Sequence, residues 1–293
     1  MKVQKIPVDG GFTCPNRDGS KGIGGCSFCN PNAFAPNYFS ADQSASDIAP
    51  GIKEQLEAGK RFFASKHRGE VEYLAYFQSF SGTYASIDTL RVRYLEALAV
   101  DGVKGLVIGT RPDCVNADIL NLLVEISQTH SVQVEYGVES CYDKTLQRVG
   151  RGHDFACAKD AILRTAALGI SVGVHLILGL PGETREEMLQ EADLLSALPV
   201  RNLKLHQLQI MQGTRMAEEW QQHPADFQLF TVDEYIEFVA SFMLRLRSDI
   251  IVERVAAGAP SRLLLAPRWG IKPAEVQRMI EKAYAERIRH AEH

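Results

Sequence analysis

Short apolar, β-branched runs recur along this chain. Between them lie longer segments whose apolar residues fall every three or four positions. Residues 3–8 read as a first strand and 46–63 as a helix, interrupted near Pro50 and Gly51. The alternation then repeats. Strands are predicted at 71–78, 104–109, 132–139, 171–178 and 202–210, and helices at 87–99, 117–128 and 154–168. Ile119, Leu123 and Ile126 share one face of the third helix; Phe155, Ala158, Ile162 and Thr165 align on the fourth. Two further helices open on capping boxes. Thr184 with Glu187 starts one that carries Met188, Ala192 and Leu195 on one face, and Thr231 with Glu234 starts one that runs to about Arg247. Alternating strands and helices imply a parallel sheet with helices outside. Six such units predict an α/β fold, a partial, open (β/α)6 barrel of the TIM type. The core spans 1–210; a small C-terminal extension, 211–293, holds the sixth helix, a strand at 250–255 and a last helix from Pro273.

The strands carry a second pattern. In 132–139, Val132, Val134, Tyr136 and Val138 share one face, and Gln133, Glu135, Gly137 and Glu139 the other. In 202–210, Leu203 and Leu205 oppose Lys204 and His206. A central strand covered on both sides is normally apolar on both faces. The polar face therefore lines a wet or ligand-filled cavity, or else belongs to an edge strand facing water. In such barrels the chemistry gathers at the C-terminal ends of the strands.

Composition narrows the class. The chain has 293 residues, 45% hydrophobic and 23% charged, the balance of a soluble globular protein with a sizeable core. No apolar run approaches the roughly twenty residues that span a bilayer. The start has no signal-peptide apolar region, so a cytoplasmic protein without a membrane partner is expected. The net charge of −4 argues against a uniformly basic nucleic-acid binder. From Arg245 onward, however, ten basic residues face six acids, so this tail is about +4 and the remainder about −8. The tail is either a polyanion contact or a solvated helix face.

Six cysteines are too few for a disulfide scaffold at this length; clustered ones point to metal or catalysis. Cys14 follows the first strand, and Cys26 and Cys29 form a C-x2-C pair after a glycine-rich loop. Glycines there let backbone approach a metal cluster closely. A closed zinc site wants four ligands, but only three cysteines gather and no histidine precedes His67. Three thiolates on a four-iron cluster leave one iron open. The alternative is a zinc module whose fourth ligand comes from a partner.

At this point the chain resembles the radical S-adenosylmethionine (SAM) superfamily. Its best-known signature is C-x3-C-x2-C; here the spacing is C-x11-C-x2-C. That spacing resembles a bacterial family of poorly characterised radical SAM proteins, related to the radical SAM domain of the Elongator catalytic subunit. The likeness covers almost the whole chain. It rests on Gly10-Gly11-Phe12-Thr13-Cys14-Pro15-Asn16-Arg17-Asp18-Gly19, Ala75-Tyr76-Phe77-Gln78, Gly109-Thr110-Arg111-Pro112-Asp113-Cys114, Arg151-Gly152-His153-Asp154-Phe155-Ala156, Leu178-Gly179-Leu180-Pro181-Gly182-Glu183 and Leu264-Leu265-Ala266-Pro267. Family members usually carry a further segment before the first strand, which implies a trimmed or misassigned start.

The resemblance implies a 4Fe–4S cluster on Cys14, Cys26 and Cys29, SAM as second cofactor, and an electron donor of flavodoxin or ferredoxin type. Phe28 would lie near the adenine, or be an ordinary core residue. Gln78 would meet the SAM amino group, and Glu139 and Ser140 the ribose. Arg151 would pair with the SAM carboxylate, for which a guanidinium is bidentate, or be a surface arginine. Gly179 and Leu180 belong to the segment that cradles adenine. Arg111, Asp113 and His206, with Lys204, sit at strand ends as catalytic candidates near substrate, or as structural polar partners. His153 and His175 read as core or loop histidines. Cys114 adjoins the candidate cavity, and Cys141 and Cys157 read as helix packing. Kinship to Elongator suggests the wobble uridine of tRNA as substrate; a small metabolite or a protein is the alternative.

Overall fold

The computed structural model describes residues 2–31, 51–64 and 70–291. Seven strands form one parallel sheet in the order β1 (Lys2–Val8), β2 (Val71–Phe77), β3 (Val103–Thr110), β4 (Ser131–Glu139), β5 (Ser171–Leu178), β6 (Asn202–Gln207) and β8 (Ile251–Arg254). Between β6 and β8 the chain makes the short strand β7 (Ile210–Met211), which pairs antiparallel with β9 (Leu264–Ala266). The helices are α1 (Ile52–Ala64), α2 (Ile87–Leu98), α3 (Ala117–Ser127), α4 (Asp143–Arg148), α5 (Phe155–Ala167), α6 (Arg185–Ser196), α7 (Arg215–Gln222), α8 (Val232–Arg245) and α9 (Pro273–Ala291).

The sheet curls into an open barrel. Laid flat, its first and last strands would lie roughly 29 Å apart, six spacings of ~4.8 Å. Yet Lys5 Nζ of β1 reaches Glu253 Oε2 of β8 at 2.5 Å. The outer face carries the apolar set. Val134, Tyr136 and Val138 of β4 are buried beneath the helices with Val172, Val174, Leu203 and Leu205. Tyr136 hydroxyl lies 2.7 Å from Thr165 Oγ1 of α5, which satisfies its one polar atom in that layer. The opposite face turns polar side chains inward.

Local signals explain the helix starts. Asp154 accepts from the Cys157 amide at α5, and Thr184 and Thr231 form complete capping boxes at α6 and α8. The α/β fold and its open barrel agree with the sequence pattern, with three differences. The strand expected at 202–210 divides: the Leu208 amide donates to Leu178 O, after which the chain leaves the sheet and β7 pairs with β9. The strand expected in the extension is β8, and it joins the sheet as a seventh member beside β6. Helices α4 and α7, six and eight residues long, had not been anticipated. The first helix begins at Ile52; its expected part over 46–50 lies outside the described residues.

Candidate functional site

A cavity of about 330 Å³ opens inside the barrel at the C-terminal ends of the strands. The three cluster cysteines all line it, although they reach it from a loop spanning residues 14–29. Local geometry explains how. Gly24 and Gly25 hold φ of +83° and +90°, where a side chain is strained. A Cβ on Gly25 would sit 2.9 Å from Arg17 Nε and would displace that side chain.

Two of the three sulfurs, those of Cys26 and Cys29, face N–H donors. Asn16 Nδ2 lies 3.4 Å from Cys26 Sγ and donates to Gly150 O at 2.6 Å. Arg151 Nη1 lies 3.5 Å from the same sulfur. Arg17 Nη2 donates to the Cys29 carbonyl at 2.9 Å and lies 3.5 Å from its sulfur. Burial pushes the Cys29 thiol up; the Arg17 guanidinium opposes that by favouring the thiolate. Donors aimed at sulfur are the chemistry that a thiolate-bound iron–sulfur cluster needs around it, and this donor set fits one. Among the described residues, no three His, Cys, Asp or Glu side chains gather tightly enough to hold a single metal ion.

Arg151 ties the cysteine loop to the sheet. It is 6% exposed, and its Nη2 donates to Gly137 O at 2.5 Å and lies 3.6 Å from Glu139 Oε1. A Cβ on Gly137 would fall 2.8 Å from that Nη2, so only glycine lets the guanidinium approach β4 so closely. Glu139 itself ends β4 at φ +70°, a conformation uncommon for any residue but glycine. Arg151 Nε is buried without a partner, a donor left for a ligand.

The other sequence candidates divide. Phe28, Gln78, Glu139, Arg151, Arg111 and His206 line the same cavity as the cysteines. Phe28 also packs on a small second core with Leu180, Leu208 and Met216, so Leu180 lies beneath this wall rather than in it. Gly179 does not line the cavity; its amide reaches Met188 Sδ at 3.0 Å. Ser140 is fully buried and bonds Glu183 outside the cavity. Asp113 also lies outside, held by Arg111 Nε at 2.9 Å and Lys21 Nζ at 2.6 Å. Burial opposes its ionisation, but those two cations outweigh burial and bring its pKa to about 2. Arg111 in turn donates to the Arg151 carbonyl at 2.7 Å, so this pair braces Arg151. His153 lies in a separate, more open hollow of about 520 Å³, which none of the three cysteines lines. Cys114 is buried outside the cavity, where burial lifts its thiol to about 12.

Sequence reasoning missed a buried polar cluster on the inner face. Glu135 accepts from Lys5 Nζ (2.8 Å), Lys204 Nζ (2.5 Å) and Gln133 Nε2 (3.1 Å), and bonds His175 Nε2 (2.8 Å). Burial raises a carboxyl pKa, yet these partners hold Glu135 well below the usual range. Lys204 also reaches the Tyr76 hydroxyl at 3.2 Å; burial lowers it to about 8. Lys204 lies just behind the cavity wall, whereas Tyr76, Glu135, His175 and Arg254 line it. The polar inner face of β4 was the signal that pointed here.

Comparison with known proteins gives these features a context. The family model of the Radical SAM superfamily matches residues 14–195, and that of the Radical_SAM C-terminal domain matches residues 200–286. Protein YhcC of Escherichia coli (strain K12) is 38% identical over 270 residues, which cover 92% of this chain and 83% of that protein. A tRNA uridine(34) acetyltransferase of Methanocaldococcus infernus is 26% identical over 183 residues, 60% of this chain and 32% of that one. Among solved structures, the archaeal Methanocaldococcus infernus Elp3 with an N-terminal deletion superposes with a TM-score of 0.72 at 16% identity. The match covers 97% of this chain and 63% of that one, and it shows a shared fold. No helix among the described residues is long and apolar enough to cross a membrane.

Proposed function

The chain belongs to the radical SAM superfamily, and from that premise we propose that it is a cytoplasmic enzyme that binds a 4Fe–4S cluster through Cys14, Cys26 and Cys29 and uses SAM to abstract hydrogen from a substrate. When bound, the cluster and SAM supply one-electron cleavage of the sulfonium carbon–sulfur bond, giving methionine and a 5′-deoxyadenosyl radical. The observation that carries the reading is that three cysteines line one interior cavity while Asn16, Arg17 and Arg151 aim N–H groups at two of their sulfurs.

The chain's own residues bind, orient and shield. Arg151, fixed by Gly137 O and by the Arg111–Asp113 brace, is the candidate partner for the SAM carboxylate. Gln78 and Glu139 offer polar groups for its amino group and ribose, and Phe28 an apolar wall for adenine. The curled sheet keeps bulk water from the reacting centre. A flavodoxin- or ferredoxin-type protein supplies the electron. The distant likeness to a tRNA uridine(34) acetyltransferase supports tRNA as the substrate, at its wobble uridine.

The test is chemical. Anaerobically reconstituted protein should be brown and, with dithionite, convert SAM to 5′-deoxyadenosine; Cys26→Ala should lose both properties. A Cys26 variant that still cleaves SAM refutes the assignment. For the substrate, nucleosides of tRNA from cells lacking the gene are measured by mass spectrometry, and an unchanged profile removes tRNA.

A further inference from the structure

One cluster on the inner face of the barrel, built by β1, β4, β6 and β8, holds one positive charge more than its carboxylates balance. The origin is an irregularity in β8. Its register with β6 runs Asn202↔Ile251, Leu203↔Val252, then Lys204↔Arg254, which leaves Glu253 as an extra residue. In a regular strand Glu253 and Arg254 would point to opposite faces; a bulge re-aims one of them. Here both serve the interior. Glu253 reaches Lys5 Nζ at 2.5 Å and Asn202 Nδ2 at 2.7 Å, and Arg254 lines the cavity.

In this cluster two carboxylates, Glu135 and Glu253, face three cations, Lys5, Lys204 and Arg254. Both carboxylates are engaged by the two lysines. Arg254 makes no ion pair among the described residues. Its Nη2 meets His206 Nε2, and its Nε is buried with no hydrogen-bond partner. His206 does not add a charge of its own, because burial and the adjacent guanidinium keep its ring neutral. His175 lies beside it, ring centroids 5.7 Å apart and planes tilted by 41°. A partly buried guanidinium with an unpartnered donor and no counter-charge matches a planar or tetrahedral oxyanion.

We propose that Arg254, oriented by His206, binds a carboxylate or phosphate group of the substrate. This names a feature of the substrate and rests on the reading of the cavity as the reaction chamber. The bulge at Glu253 is then the device that delivers the arginine to the cavity without removing a counter-ion from Lys5.

Inorganic phosphate and acetate are the probes, titrated into the anaerobically reconstituted protein with and without SAM and followed by 31P and 13C NMR line widths. Both ions are expected to bind saturably and to compete for one site. Arg254→Gln is expected to weaken each at least tenfold, and Arg254→Lys, which keeps the charge but loses the planar fork, to weaken each by a smaller but measurable factor. Arg148→Gln, at an exposed ion pair with Glu219, should change neither, and Arg254→Gln should leave SAM affinity unchanged. Tighter binding of acetate assigns a carboxylate substrate; tighter binding of phosphate assigns a phosphate ester. Absence of saturable binding to wild type overturns the proposal, as does equal binding by Arg254→Gln. Should Arg254→Gln not fold, the competition in wild type and the Arg254→Lys titration decide. A protein that fails to bind SAM refutes the functional reading instead, and the anion site is then judged by the titration without SAM.

Discussion

Replacing Glu135 with Gln tests whether one carboxylate organises the barrel interior. Glu135 is 1% exposed, and Lys204, its partner at 2.5 Å, has a side chain only 8% exposed. The substitution keeps shape but removes the charge nearest Lys204, and it turns one acceptor into a donor, facing either Lys5 or the pair Lys204 and His175. Removing one member of a buried pair costs about 3–5 kcal/mol, and Lys204 keeps only its longer contact with Glu253 at 3.6 Å. At about 2 °C per kcal/mol for a chain of this size, the melting temperature should fall roughly 6–10 °C. The assay is thermal unfolding followed by circular dichroism at pH 7. Adding Lys204→Met removes the under-compensated charge, so the double variant Glu135→Gln/Lys204→Met should be more stable than Glu135→Gln alone. A fall of under ~1 °C in the single variant, or a double variant whose losses simply add, refutes the reasoning.

Acid should act at Asp113, whose folded pKa of about 2 lies below its ordinary 3.8. Its contribution, about 2 kcal/mol, is therefore whole above pH 4 and lost as pH falls from 4 toward 2. Urea midpoints compared at pH 5 and pH 3 should drop less in Asp113→Asn than in wild type; equal drops count against it. Gly25→Ala, at φ +90° and with its methyl group against Arg17, should cost about 1–2 kcal/mol of strain. It should also lower iron content after reconstitution, since Arg17 must move from Cys29; an unchanged melting temperature with full iron would contradict this.

How much of the fold and the site is legible in the sequence depends on the range of the signal. Local signals served well. Period-two alternation located the parallel strands, and Thr184, Thr231 and Asp154 marked helix starts because a cap is written within four residues. The cysteine loop was legible because its three thiols and its glycines are close in sequence. What failed was non-local. No local pattern says that Leu208 leaves the sheet or that β8 returns to extend it. Helix α4, at six residues, is too short to show a period. Asp113 and Ser140 carry catalytic side-chain types near strand ends, yet their partners, Lys21 and Glu183, come from distant segments and draw them out of the cavity. Arg254 escaped notice because the bulge reverses the face that alternation assigns it.

The meeting of Lys5 with Glu253 bears on how the barrel admits a guest. Every other junction around the curled sheet is a ladder of backbone bonds, in which widening by one residue breaks rungs in series. The junction between the outermost strands is instead a clasp made of side chains with flexible stems. Among the described residues, parting it costs one partly hydrated ion pair and leaves every rung intact. The wall can thus yield along a single line while the cysteine loop and the floor beneath it keep their shape.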